Sequence, residues 1–93
     1  MPIIVATVKI KEGKVEEAKP FLKQLAADTL ENEACTLAYV AHQQKDDPQT
    51  FVFYEKYESD EALGIHSKNL QAVGAQFAAL LDGPPSLLFL EEL

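Results

Sequence analysis

The chain has 93 residues, 47% of them hydrophobic and 25% charged, which is the makeup of a globular protein with one small core. Fifteen acids face eight bases for a formal net charge of −7, and every one of those bases is a lysine. A chain without arginine, the preferred reader of phosphate and guanine, is not expected to bind nucleic acid; its charge disfavours an anionic membrane surface, and no apolar run approaches the ~18 residues of a membrane span.

Ile3 to Ile10 is rich in Ile and Val and reads as a strand. Lys11-Glu12-Gly13-Lys14 breaks it. Val15 to Asn32 has helical spacing, with Val15, Ala18, Leu22, Leu25 and Thr29 on one stripe. Pro20 falls inside that stripe and is expected to kink the helix or delay its regular part. Thr36 to Gln43 is a second strand, and Asp46-Asp47-Pro48-Gln49 a turn. Phe51 to Glu58 is a third strand. Ser59 is a good N-cap, with Asp60 and Glu61 well placed in the first helical turn. Helical sequence continues to Leu81 with a break near Ser67, and Leu70, Val73, Phe77 and Leu80 form its apolar stripe. Gly83-Pro84-Pro85 ends it, and Leu87 to Leu93 is the last strand. The order β-α-β-β-α-β is the split arrangement of α+β, ferredoxin-like folds, in one domain over residues 1–93.

A sheet with helices on one face should alternate apolar and polar residues. These strands do not. Ile4, Ala6, Val8 and Ile10 suit the helix side, yet Ile3 and Val5 point the other way. Phe51 and Phe53 alternate with Val52 and Tyr54, and Leu87 and Phe89 with Leu88 and Leu90. Two helices cannot cover both faces, so a second copy is expected to pack its sheet against this one.

Few residues suit chemistry. His66, on the second helical segment, is either a structural hydrogen-bonder or the best available base at neutral pH. His42 ends the second strand and has the same two readings. Glu55 lies between Phe53 and Tyr57 on one strand face; burial there raises a carboxyl pKa unless a donor holds it, so Glu55 could orient a histidine or act as a base. Tyr39, Tyr54 and Tyr57 could donate to a ligand oxygen, or simply fill the core. His42, His66 and Glu55 have no recognised metal-ligand spacing, and no metal is expected. No phosphate loop, serine elbow or dinucleotide fingerprint occurs. The lone Cys35 excludes an internal disulfide and is expected as a small core residue. No basic region precedes the apolar start, and Lys9 and Lys11 follow too soon for a signal peptide, which points to the cytoplasm.

The run Glu33-Ala34-Cys35-Thr36-Leu37-Ala38-Tyr39-Val40-Ala41-His42, then Asp47-Pro48, Phe51-Val52-Phe53-Tyr54-Glu55-Lys56-Tyr57, Ala62-Leu63 and His66 resembles the antibiotic biosynthesis monooxygenase (ABM) domain family. Gly13 and Gly83-Pro84 fit its layout. The resemblance implies a homodimeric α+β barrel of ferredoxin-like subunits. It also implies a cofactor-independent monooxygenase that oxidises a small quinol or a phenolic or polycyclic aromatic substrate with O₂. The alternatives on the same scaffold are a non-catalytic ligand-binding dimer and an isomerase of a small carbonyl compound. Haem-degrading relatives use an Asn, a Trp and a His where this chain has Ala6, Tyr57 and Gln76. The isomerase branch has basic residues after the Gly-Pro, where this chain reads Pro85-Ser86-Leu87. Haem and a phosphorylated ligand are therefore not expected, nor is any other cofactor. The expected site has His66 and Glu55 as catalytic residues, with Ala6, Tyr39, His42, Phe53, Tyr57 and Phe77 around the substrate.

Overall fold

A computed structural model describes all residues, 1–93. The elements run β1 (Pro2–Lys9), α1 (Val15–Asn32), β2 (Thr36–Gln43), β3 (Thr50–Tyr57), α2 (Asp60–Leu70), a 3₁₀ turn (Gln71–Val73), α3 (Gly74–Leu80) and β4 (Ser86–Glu91). The strands form one antiparallel sheet in the order β2-β3-β1-β4, and the helices close one of its faces. This is the ferredoxin-like α+β fold expected from the element order. No helix is long and apolar enough to cross a membrane.

Local chemistry accounts for the boundaries. Gly13 and Gly83 both take positive φ, a backbone conformation that costs glycine nothing, and they end β1 and open the approach to β4. The Ser59 hydroxyl accepts from the Ala62 N–H at 3.2 Å and starts α2. In the turn after β2, the Asp47 carboxylate takes the Thr50 hydroxyl at 2.6 Å. Ile10 bridges to Leu81 beyond the ends of β1 and α3, so the second helical unit is pinned to the first strand.

Two expectations about the helices change. α1 runs without interruption through Pro20. The ring sits on the exposed side, where the Glu16 carbonyl that loses its partner can be hydrated. The second helical stretch breaks after Leu70, three residues beyond the break expected near Ser67, where a single 3₁₀ turn intervenes.

Ile4, Ala6, Val8, Phe51, Phe53, Tyr39 and Tyr57 from the sheet meet Ala18, Leu22, Ala62 and Leu80 from the helices in one apolar cluster. The register puts a second apolar set on the outer face, where Leu88, Val5, Tyr54 and Val40 form a row across all four strands. Leu88 is 57% exposed and Val40 45%. Cys35, expected inside, is exposed in the connection before β2, and the adjacent Glu58 carboxylate raises its thiol pKa. Leu22 is the largest fully buried side chain of α1. Leu22→Ala should cost about 2–5 kcal/mol, the range for emptying a sealed leucine site, read as a fall in the denaturation midpoint with unchanged m-value.

Candidate active site

The helix-facing side of the sheet has a small residue at its centre. Ala6 pairs with Phe53 on one side and Leu87 on the other. Larger side chains surround it, and a cavity of about 130 Å³ remains between the sheet and the second helical unit. Its wall is mostly apolar: Ile4, Ala6 and Val8 from β1, Phe53 from β3, Leu70 and Phe77 from the helices. Pro85 and Leu87 also line it and are exposed, which places the mouth at the start of β4.

Three polar side chains interrupt this apolar wall: Tyr39, Glu55 and His66. His66 reaches it by helical periodicity, since Ala62, His66 and Leu70 lie one turn apart on the inward stripe of α2. Its ring is 4% exposed and lies between two tyrosines, 4.8 Å from the Tyr39 ring centroid and 5.5 Å from that of Tyr57. Nδ1 is 3.0 Å from Glu33 Oε1. A carboxylate on Nδ1 holds the hydrogen on that nitrogen and leaves the lone pair on Nε2.

Glu33 was not singled out as a site residue from sequence, yet it is the partner that orients His66. It is 8% exposed. Its carboxylate also takes the Thr36 hydroxyl at 3.0 Å and the Asn69 amide at 3.4 Å. Its backbone is held as well: its N–H closes α1 on the Thr29 carbonyl and its own carbonyl accepts from Thr36 N. No local signal marks it, because a glutamate after a helix in an acidic chain looks like surface; only the 33-residue separation from His66, closed by the fold, reveals it. Glu33 and His66 also line a second, wetter cleft, together with Asp28, Asn32, Lys68 and Asn69.

Glu55 does not orient the histidine. Its Oε1 accepts the Tyr57 hydroxyl at 2.6 Å. Burial raises the Glu55 carboxyl pKa above its ordinary value, against the opposing effects of that hydrogen bond and of nearby His66. Burial likewise raises both tyrosine pKa values; the Glu55 and Glu33 carboxylates add to this at Tyr39, and the hydrogen bond to Glu55 adds to it at Tyr57. Both therefore stay neutral phenols and hydrogen-bond donors at neutral pH. No buried side-chain nitrogen or oxygen lacks a partner. The Tyr39 hydroxyl, Glu55 Oε2 and His66 Nε2 make no hydrogen bond within the chain, so each must reach open space, and the cavity is the space their residues share.

The fold thus brings together Ala6, Tyr39, Phe53, Glu55, His66 and Phe77 around one cavity. Tyr57, fully buried, stands behind that wall and acts on it through Glu55. His42 is not brought there. It pairs with Val52 on the outer face, exposed, with Nδ1 3.1 Å from the Val52 carbonyl. The cause is a bulge in β2: the register shifts between Thr36 and Ala38, so inward Thr36 is followed by inward Tyr39. Strict alternation from Thr36 would have turned His42 inward and Tyr39 outward. Because His42 is on the other face, His42, His66 and Glu55 cannot share a metal ion.

The class of protein is therefore a ferredoxin-like domain with a carboxylate-oriented histidine facing an apolar cavity. The family model for antibiotic biosynthesis monooxygenase matches residues 1–80, and the chain belongs to that family. A Caulobacter crescentus protein assigned to the antibiotic biosynthesis monooxygenases is 28% identical, with a TM-score of 0.90 over 99% of this chain and 89% of that one. A Pseudomonas aeruginosa protein is 26% identical, with a TM-score of 0.88 over 99% of this chain and 93% of that one. A Nitrosomonas europaea protein assigned to the same monooxygenases is 20% identical and shares the fold, with a TM-score of 0.91 over 100% of this chain and 99% of that one. No curated protein matches the chain.

The raised Glu55 pKa has a measurable consequence. A carboxyl that holds its proton more tightly when folded stabilises the fold below the unfolded value of about 4.3, and that contribution is lost as pH rises through the raised folded value. Glu55→Gln is neutral at every pH and can still accept from Tyr57. Its melting temperature should stay close to the wild type's at about pH 4 and exceed it at about pH 7. Calorimetry across that range checks this; a pH-independent difference would remove burial of the charge as the cause.

Proposed function

We propose that this protein is a monooxygenase that needs no cofactor and oxidises a small phenol or quinol with O₂. The observation that carries the reading is His66: Nδ1 is held by Glu33, Nε2 makes no hydrogen bond within the chain, and the residue lines an apolar cavity of about 130 Å³. A phenol with a pKa near ~10 is almost wholly protonated at neutral pH. Neutral imidazole is the best placed base to take that proton as charge develops, and Tyr39 can donate to the oxygen that becomes anionic. The phenolate is a far better one-electron donor than the phenol. It passes one electron to O₂, and the two radicals combine to form a carbon–oxygen bond on the ring. The His66 imidazolium returns its proton to the peroxide. The oxygen–oxygen bond then breaks: the ring carbon loses its proton through His66, hydroxide leaves and takes that proton, and the products are a quinone and water. One oxygen atom enters the substrate and the other becomes water. The apolar wall supports this reading because it keeps bulk water from the radical pair.

The same reading has the protein working as a homodimer through its outer sheet face. The support is the Leu88-Val5-Tyr54-Val40 row, which is apolar and lies open to solvent in a single chain.

The catalytic claim is tested by O₂ uptake on addition of hydroquinone. His66→Ala should lower turnover at least tenfold, a floor set below the ~10²–10⁴ contributed by a positioned base, and His42→Ala should leave it unchanged. Wild-type turnover in His66→Ala would end the histidine-base mechanism, and no uptake with any phenol or quinol would end the oxygenase reading. The dimer is tested separately. Sedimentation should give twice the 10.3 kDa chain mass, and Val5→Asp should shift it toward monomer, because an unpaired charge buried at an interface costs several kcal/mol. A dimer unchanged by Val5→Asp would place the interface elsewhere.

A further inference from the structure

We infer that the cavity takes an uncharged ligand with a single aromatic ring and a hydroxyl at its inner end, and that Phe77 sets this limit. The inference rests on the cavity being the substrate site of the proposed oxygenase, and it narrows that substrate from phenols and quinols of any size to those of one ring.

Size is the first argument. An apolar cavity of about 150 Å³ accommodates one benzene ring, and this one is about 130 Å³. A second fused ring has no room inside it unless the wall retreats, and would otherwise stand out of the mouth beside Pro85 and Leu87, without the apolar contacts of the wall. The wall cannot retreat at the sheet, where Ile4, Ala6, Val8 and Phe53 are all buried in the core cluster. Phe53 is backed by the Tyr39 ring at 5.4 Å. On the helical side, Phe77 is backed by Phe21 of α1, edge to face at 5.7 Å, so its ring is held against the cavity. Phe77 is also the largest wall residue that is only partly buried. It is therefore the side chain whose shortening opens space without emptying the sealed core.

Charge is the second argument. No lysine lines the cavity, the chain contains no arginine, and one wall residue is the Glu55 carboxyl. A phosphate or carboxylate on the ligand would be taken out of water with no cation to meet it, beside a group of its own sign. A neutral hydroxyl has what it needs: acceptors at His66 Nε2 and Glu55 Oε2, and a donor at the Tyr39 hydroxyl, all three without partners in the chain. These groups sit together and the rest of the wall is apolar, so the hydroxyl end points to His66 and the remainder of the ring lies against Phe53, Leu70 and Phe77.

Binding measured by thermal shift and calorimetry under nitrogen separates this from the oxidation chemistry. Phenol and hydroquinone should bind. Naphthohydroquinone, para-hydroxybenzoate and phenyl phosphate should bind at least tenfold more weakly, or not at all. Phe77→Ala, and Phe77→Leu as the milder variant, should admit naphthohydroquinone and leave the two anions excluded. The inference is overturned if wild type binds naphthohydroquinone as tightly as hydroquinone, if either anion binds as tightly as phenol, or if no single-ring phenol binds. It is also overturned if a folded Phe77 variant keeps the wild-type ranking. Single-ring binding without O₂ uptake would support the cavity assignment and remove the oxygenase reading. Equal O₂ uptake on one-ring and two-ring quinols would do the reverse.

Discussion

A carboxylate taken out of water must be given donors, and Glu33 draws its donors from two other parts of the chain: Thr36 at the start of β2, and His66 and Asn69 on α2. Glu33 itself ends α1. One buried group thus ties together the end of the first helix, the first residue of the second strand and the middle of the second helix. Because every donor is spoken for, the arrangement has few alternatives of similar energy, and the His66 ring is held in one orientation. The free Nε2, the tyrosine rings against the imidazole and the direction of the cavity follow from that.

The cavity has an equally local origin. It exists because the central position of the inward sheet face is an alanine, and because the second helical stretch is interrupted by a 3₁₀ turn before Phe77 crosses over it. Pinning α3 to β1 through Ile10 and Leu81 keeps that roof in place. Site and fold share their supports: Tyr57 is at once a fully buried core residue and the donor that holds Glu55. Substitutions there will be felt in the stability of the fold and in the position of the Glu55 carboxyl together.

The two faces of the sheet serve different ends. The inner face carries the core and the polar groups of the cavity; the outer face carries Val5, Val40, Tyr54 and Leu88 with no helix above them. Strand alternation makes this division possible, and the bulge in β2 decides which residues of that strand fall on which side. Tyr39 and His42 are three residues apart and would both suit a ligand; the pleat allows only one of them into the cavity.

The order of strands and helices, the inward stripes of α1 and of the second helical stretch, the Ser59 cap and the apolar outer face were all legible in the sequence, because each rests on periodicity or on chemistry between near neighbours. His66 and Glu55 were legible as titratable side chains among apolar neighbours, and both line the cavity. What tertiary structure decided was pairing. It set Glu33 rather than Glu55 on the histidine, gave Glu55 to Tyr57, turned His42 and Cys35 to solvent, and left about 130 Å³ beside Ala6. The physical reason is range: periodicity records which face a residue takes, whereas a hydrogen bond between residues 33 and 66 depends on a register shift and a helix crossing that no short window of sequence contains.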